Sequence, residues 1–438
     1  MRLILRFALP IVAGNALQQF YSLVDSLVIG RVEGVTALAA VAASGWLDWL
    51  VLSLAMGLTQ GFAIRVAQEY GAGDFAALRR TAGQSVLLAC AATLLLEALS
   101  QGLLRPVLVL LSTPENTIHL TERYLRVIFC GLPLVMGVNL LGGFLRSVGD
   151  SRTPLAAMTA STLCNAVLDV LFVALFRWGV TGAALATTLS QGASCLICLL
   201  AVRRLSCFRL RRAELRPDLP LCGALLRLSS PLAFGNLVIS LGGLVLQRVV
   251  NGFGFVFMAG YNAASRLQGL IEIAGSSLGS AVGTFAGQNI GAGRLDRVRS
   301  GVRQSLILSV GMALLVGGVM AGFGRQILSL FVQDEPELAD QVLTYAHRFL
   351  LFMSAGLPGL YILFAYRSAL QGLGDTVVPM LSGFLELACR LTVILLLPQL
   401  IGEWGVYAAE IAAWIGAAVY LAWGYYRWMR KNGKPEAA

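Results

Sequence analysis

Apolar residues run along this chain in long blocks bounded by short polar or basic stretches, and no block alternates strictly between apolar and polar positions. The blocks cover residues 5–30, 35–63, 82–104, 122–145, 154–176, 179–202, 223–250, 256–284, 301–323, 342–367, 377–398 and 404–427. A helix needs roughly 20 apolar residues to cross a bilayer, so each block is long enough for one span. A membrane β-barrel would show ten-residue alternating segments instead. The pattern therefore predicts an all-α integral membrane protein with twelve transmembrane helices and few residues left for a soluble domain.

Composition agrees: of 438 residues, 57% are hydrophobic and 13% charged, and mean hydropathy is +0.76. The 33 Lys and Arg outnumber 23 Asp and Glu. If successive loops alternate sides, 23 basic residues fall on one side and seven on the other, with Arg248, Arg266 and Arg390 inside spans. Basic loops stay in the cytoplasm, so both termini are expected there, and the basic excess reads as an orientation signal rather than a nucleic-acid footprint. The short loops fit a bacterial inner membrane. Residues 3–13 imitate a signal peptide, but the apolar block continues past Asn15 and Gln18 without a small-x-small cleavage site, which predicts an uncleaved first span. Most of the eight cysteines lie inside spans. Cys195 and Cys198 form a CxxC in an apolar setting, where thiols serve as small hydrophobes.

The second half of the chain repeats the first. Leu5-Arg6 through Pro10 to Gly14-Asn15 matches Leu226-Arg227 through Pro231 to Gly235-Asn236. Gly71-Ala72-Gly73 matches Gly291-Ala292-Gly293, Gly149-Asp150 before Pro154 matches Gly374-Asp375 before Pro379, and Trp178-Gly179-Val180 matches Trp404-Gly405-Val406. Six spans per repeat means that both halves enter the membrane in the same direction. Two homologous six-helix bundles related by a pseudo-two-fold axis along the membrane normal follow. The expected domains are an amino-terminal lobe over 1–202, a basic cytoplasmic linker over 203–222, a carboxy-terminal lobe over 223–430 and a tail over 431–438. The linker, with Arg203, Arg204, Arg209, Arg211, Arg212 and Arg216, reads as an orientation-setting connection, with anionic lipid headgroups as the functional alternative.

An ionisable side chain inside a span costs several kcal/mol unless it faces a cavity or a partner, so intramembrane carboxylates are candidates for chemistry. Asp169 follows Asn165 by four residues, which sets a carboxylate and an amide on one helix face. Asp25 sits at similar depth in the first span, after Pro10, a residue that frees a backbone carbonyl and permits a bend. Two such carboxylates brought close would share a proton or hold a sodium ion. Asp25 and Asp169 are thus the metal ligands expected if sodium is the ion. Glu386 and Arg390, four apart in the eleventh span, are placed to neutralise each other, with Glu410 as a further member. Asp48, between Trp46 and Trp49, suits an organic cation or an interfacial anchor. Glu272 and Arg266 are six apart and face different ways. No phosphate-binding glycine loop and no HExxH motif occurs, so neither ATP hydrolysis nor zinc catalysis is expected and no cofactor is predicted. An ion gradient remains as the energy source.

In order, these motifs resemble the multidrug and toxic compound extrusion (MATE) transporters of the multidrug/oligosaccharidyl-lipid/polysaccharide flippase superfamily. The resemblance rests on Pro10 with Tyr21-x-x-Val24-Asp25-x-x-x-x-Gly30, the paired Gly-Ala-Gly elements, Arg146-x-x-Gly149-Asp150, Asn165-x-x-x-Asp169, and Gly182-Ala183-Ala184-x-Ala186-Thr187. It implies a monomeric alternating-access antiporter, not an enzyme, that exports amphipathic or cationic small molecules as H+ or Na+ enters. Similarity to the DinF-like branch implies a cation-coupling site of Asp25, Asn165 and Asp169, with Asn139 and Thr187 as further ligands and Pro10 as hinge. Members similar to the NorM-like branch carry acidic residues in the seventh and tenth spans, whereas 223–250 and 342–367 hold none here, which favours the amino-terminal lobe. A lipid-linked oligosaccharide flippase is the alternative within the superfamily. A membrane-embedded enzyme or a channel is the alternative outside it.

Overall fold

A computed structural model describes residues 2–33, 35–110, 115–329 and 336–432, with some side chains, most of them between residues 19 and 46, outside that description. Every regular element among the described residues is helical. In chain order these are α1 (Arg2–Val32), α2 (Val35–Ala72), α3 (Phe75–Leu110), α4 (Glu115–Cys130), α5 (Leu132–Ser147), α6 (Arg152–Asp169), α7 (Gly179–Arg204), α8 (Leu219–Asn251), α9 (Phe255–Gly291), α10 (Leu295–Ser329), α11 (Pro336–Gly372), α12 (Val377–Leu396), α13 (Pro398–Ile401) and α14 (Glu403–Asn432). Each of the twelve predicted spans coincides with one of these helices or with a broken pair. Most helices overrun the predicted span, because hydropathy sees only the part in hydrocarbon while the backbone ladder continues into the polar ends.

Nine helices among the described residues are long and apolar enough to cross a membrane, and α4 with α5 makes a tenth, bent by 45°. The bend falls at Gly131, two residues before Pro133, whose missing N–H breaks the helical ladder. The Gly131 carbonyl accepts instead from Leu134 and Val135 at 2.9 and 3.2 Å, restarting the helix in a new direction.

Burial separates inner from outer helices. Within the apolar windows of α2, α11 and α14 more than half the residues are buried in protein, against 11% for α3 and 17% for α10. The outward side chains of α3 and α10 include Leu94, Leu95 and Leu103, and Ile307, Leu314 and Leu315, all more than half exposed. In water such faces would drive aggregation; in a bilayer lipid tails cover them. This is a multi-pass membrane protein.

The repeat is visible in the backbone itself. Gly73 and Gly293 end α2 and α9 with φ of +74° and +70°. In both, the glycine N–H and the next N–H return to the last helical turn: Gly73 to Tyr70 and Asp74 to Glu69 at 3.1 and 3.2 Å, Gly293 to Ile290 and Arg294 to Asn289 at 3.0 and 2.8 Å. Gly149 and Gly374, at φ +93° and +88°, do the same for α5 and α11. The aspartates that follow them cap the next helix, Asp150 Oδ1 accepting from Arg152 and Thr153 and Asp375 Oδ1 from Val378. Identical residues at matched positions thus build identical turns.

Contacts divide the chain into two compact units, Met1–Ala8 with Phe234–Ala438, and Leu9–Ala233. Both crossings lie within three residues of a repeated proline, Pro10 in α1 and Pro231 in α8. In the unit of residues 9–233, α2 and the start of α8 touch backbone to backbone. A Cβ on Gly61 would stand 2.4 Å from Ser229 Cβ, and one on Gly57 2.5 Å from Ala233 Cα. We expect Gly61→Val to lower stability by about 1–3 kcal/mol through overpacking, read as an earlier thermal unfolding midpoint in detergent. Gly318→Ala on α10, where a Cβ meets open space, leaves that midpoint unchanged or raises it.

The linker folds onto this unit as well. Phe208 is buried and stacked on Phe144 at 5.2 Å. Gln84 of α3, itself buried, donates to the carbonyls of Glu214 and Arg216 at 3.0 and 2.8 Å and accepts from the Asp218 N–H at 3.0 Å. One amide side chain thereby satisfies three backbone groups of a segment that has only two short 3-10 turns of its own.

Candidate functional site

Asn165 and Asp169 lie one turn apart on α6, and both are fully buried. Neither side-chain atom of Asn165 makes a hydrogen bond among the described residues. Burying an amide without partners costs a few kcal/mol, so a carboxamide held open at this depth is a site prepared for something else. Directly after Asp169 the helix widens into a π-helical turn, Val170–Leu175, whose register is marked by the Phe176 N–H bonding to the Leu171 carbonyl at 2.9 Å. Turns of this type recur at functional sites because the extra residue disturbs the regular carbonyl pattern. The hydropathy pattern shows no trace of it.

A tight turn with Arg177 at φ +55° and Gly179 at φ +60° reverses the chain into α7. Phe172, Phe176 and Trp178 stack beside it, with centroids 5.0 to 6.2 Å apart, in keeping with an aromatic interfacial anchor. Thr187 lies eight residues into α7. At ~1.5 Å per residue that is about 12 Å from the turn, a depth between those of Asp169 and Asn165 on the antiparallel α6. Its backbone carbonyl accepts from Ser190 Oγ at 2.8 Å. Asn139 on α5 donates its amide to Val135 O at 2.9 Å, which leaves its carbonyl oxygen as the group able to coordinate. Helices α5, α6 and α7 are neighbours in one unit, and four of the five expected ligand positions lie on them. The fifth, Asp25, falls in helical α1, and its side chain lies outside the described residues. The donors are oxygens, one ionisable and the rest neutral, which suits a hard monovalent cation or a proton. Among the described residues no group of three or more His, Cys, Asp or Glu is gathered as a transition-metal site requires.

The carboxy-terminal unit holds a second polar cluster, and here the structure corrects the expectation. Glu386 and Arg390 are not each other's partners. Glu386 accepts from Arg367 of α11, which also donates to Ser382 Oγ at 3.1 Å, and Arg390 donates to Glu410 of α14 at 3.0 Å. The physical reason is charge accounting in low dielectric. A pair formed within α12 would strand Arg367 and Glu410 in an apolar surround, whereas two pairs between helices leave no ion alone. Glu386, Arg390 and Glu410 are all more than nine-tenths buried. Arg390 fits against α8 because residue 242 is glycine, where a Cβ would lie 2.5 Å from the guanidinium Nη1. Sequence reasoning missed Arg367 because it stands at the end of its span and was counted with the loop charges. Glu272 on α9 is held by Gln268, four residues earlier, at 2.8 Å. Asp48 is half-buried on α2, next to an exposed Trp49.

Comparisons with known proteins identify the family and the fold. The profile of the MatE family matches twice, over residues 10–171 and 231–396, so each repeat is recognised separately and both matches begin at the repeated proline. The probable multidrug resistance protein YoeA of Bacillus subtilis is 29% identical over 97% of this chain and 93% of its own. YpnP of the same organism, also a probable multidrug resistance protein, is 32% identical over 76% of this chain and 75% of its own. Among solved structures, the outward-facing form of a multidrug resistance MATE family transporter of the MOP superfamily superposes with a TM-score of 0.91 at 22% identity, covering 98% of this chain and 96% of that one. Both repeats match in sequence and nearly the whole backbone matches in fold: the chain belongs to the MatE family of multidrug-efflux membrane transporters.

Proposed function

We propose that this chain is a secondary antiporter that exports amphipathic, cationic small molecules by alternating access, coupled to H+ or Na+ through the amino-terminal lobe. The observation that carries this reading is the buried Asn165 and Asp169 pair, with an open carboxamide beside a carboxylate immediately ahead of the π turn. Asp25 completes the site from α1, with Asn139 and Thr187 as neutral ligands. A cation shifts a conformational balance only through different affinity for the two states, and a site between a proline-containing helix and a π-widened one has two elements whose geometry changes at low cost. Pro10 is the hinge in α1. The carboxy-terminal ion pairs are structural in this reading, since each charge is already matched. The two six-helix lobes act as the moving bodies of one monomer in a bacterial inner membrane, with both termini in the cytoplasm.

The test is efflux of a fluorescent cationic dye from proteoliposomes under a proton or a sodium gradient imposed separately. Export driven by one of them identifies the ion. Failure under both, with correctly folded protein, removes the antiport reading and brings forward lipid-linked flippase activity.

A further inference from the structure

At the basic end of the unit of residues 9–233, a cavity of about 400 Å3 opens between the start of α6 and the end of α7. Its wall is apolar, formed by Ile197, Leu200 and Leu205, and its polar rim is formed by Asp150, Thr153 and Arg204. Leu200 is also about half exposed on the outward face of α7, as is Leu196, so the cavity is continuous with surface that lipid tails cover. The rim is not electrically balanced. Asp150 is the one carboxylate of the rim, Oδ1 accepting from the Arg152 and Thr153 N–H groups at 3.0 Å and Oδ2 from the Thr153 hydroxyl at 2.6 Å at the positive end of α6, while the exposed guanidinium of Arg152 makes no ion pair among the described residues. Arg204 is exposed and makes no ion pair among the described residues, and Arg203 beside it is the same.

We propose that this cavity is a binding site for one anionic phospholipid of the leaflet on the basic side. The phosphate sits on the Arg204 guanidinium and an acyl chain lies along Leu200 and Ile197, which are one and two turns deeper. Depth decides the class of ligand. A guanidinium at the helix end meets the headgroup layer, and Leu200 and Ile197, at ~6 and ~10 Å below it, meet the upper acyl region. A soluble phosphate compound would leave the apolar wall wet. Charge decides the headgroup: the unpaired Arg152, Arg203 and Arg204 outnumber Asp150 at this end, so a lipid of net negative charge such as phosphatidylglycerol is favoured over zwitterionic phosphatidylcholine. The site is independent of the ion-coupling reading, since it uses none of the same residues.

Native mass spectrometry of the full-length protein, titrated with phosphatidylglycerol or phosphatidylcholine, tests the proposal. The expected result is one phosphatidylglycerol retained in preference to phosphatidylcholine. Arg204→Gln should weaken it about fivefold, the worth of one basic side chain near an anionic surface. Leu200→Trp should expel the lipid by filling the cavity, and Arg211→Gln with Arg212→Gln in the linker should retain it. Equal binding of the two lipids by the wild type overturns the proposal. So does a loss that follows the linker pair instead of Arg204, or inorganic phosphate competing as well as the lipid does.

Discussion

Asp169→Asn should leave a folded protein that binds dye but no longer exports it against a gradient, with driven efflux reduced by about 100-fold, the upper range of coupling between two ligands. The substitution keeps the volume and one acceptor oxygen, exchanges the other oxygen for an amide donor, and removes the ability to carry charge. A carboxylate that merely packs would tolerate the change, and its burial would even become cheaper. Asn165→Ala should lower driven efflux less, because it removes a neutral ligand and leaves the titratable one, and its effect should be on ion affinity more than on maximal rate. Measured in proteoliposomes under whichever gradient drives the wild type, unaltered pumping by Asp169→Asn would move the coupling site elsewhere. Dye binding, followed by quenching of tryptophan fluorescence in detergent, should stay within about threefold of wild type, since the coupling free energy is lost while the substrate's own contacts remain.

Arg390→Met should destabilise the carboxy-terminal unit by about 3–5 kcal/mol, the cost of leaving a buried carboxylate without its counter-ion. Glu410 faces Arg390 at 3.0 Å and is itself buried, so little water is available to replace the lost guanidinium. The double variant Arg390→Met with Glu410→Leu should recover most of that loss, because two apolar side chains of similar volume remove both desolvation penalties at once. Thermal unfolding followed by fluorescence-detected size exclusion reads the difference directly. Recovery of stability together with wild-type efflux assigns the pair to architecture. Recovery of stability with efflux still absent assigns it to transport, and would overturn the structural reading given to it above.

The two clusters differ in how readily the sequence reveals them. Asn165 and Asp169 are legible because four residues on a helix always share a face, a rule that needs no neighbour. The same rule misleads for Glu386 and Arg390, where the spacing is right but each charge finds a better partner on another helix. The repeated glycine turns are legible for the first reason: Gly73, Gly149, Gly293 and Gly374 all take left-handed φ values that other residues avoid, so identity at matched positions carries the geometry with it. The docking of the linker on Gln84 is not legible, because its signal is a single polar residue in an apolar helix, which reads equally as a lipid-facing anomaly or a buried clamp.

Hydropathy, basic-residue placement and the internal repeat determined a twelve-helix membrane protein of duplicated design, and polar residues at helical spacing inside a span pointed to Asn165 and Asp169. Each of these is a property of residues close together in the chain, read against a solvent whose thickness and polarity are known. The tertiary structure decided what depends on which helices become neighbours. It set the partners of Glu386 and Arg390, the π turn after Asp169, the backbone contact of α2 with α8, and the seating of the linker against α3. The ion pairs and the linker contact join side chains 19 or more residues apart, in a medium where an unpaired charge or N–H costs several kcal/mol and so takes the best partner the fold brings within reach.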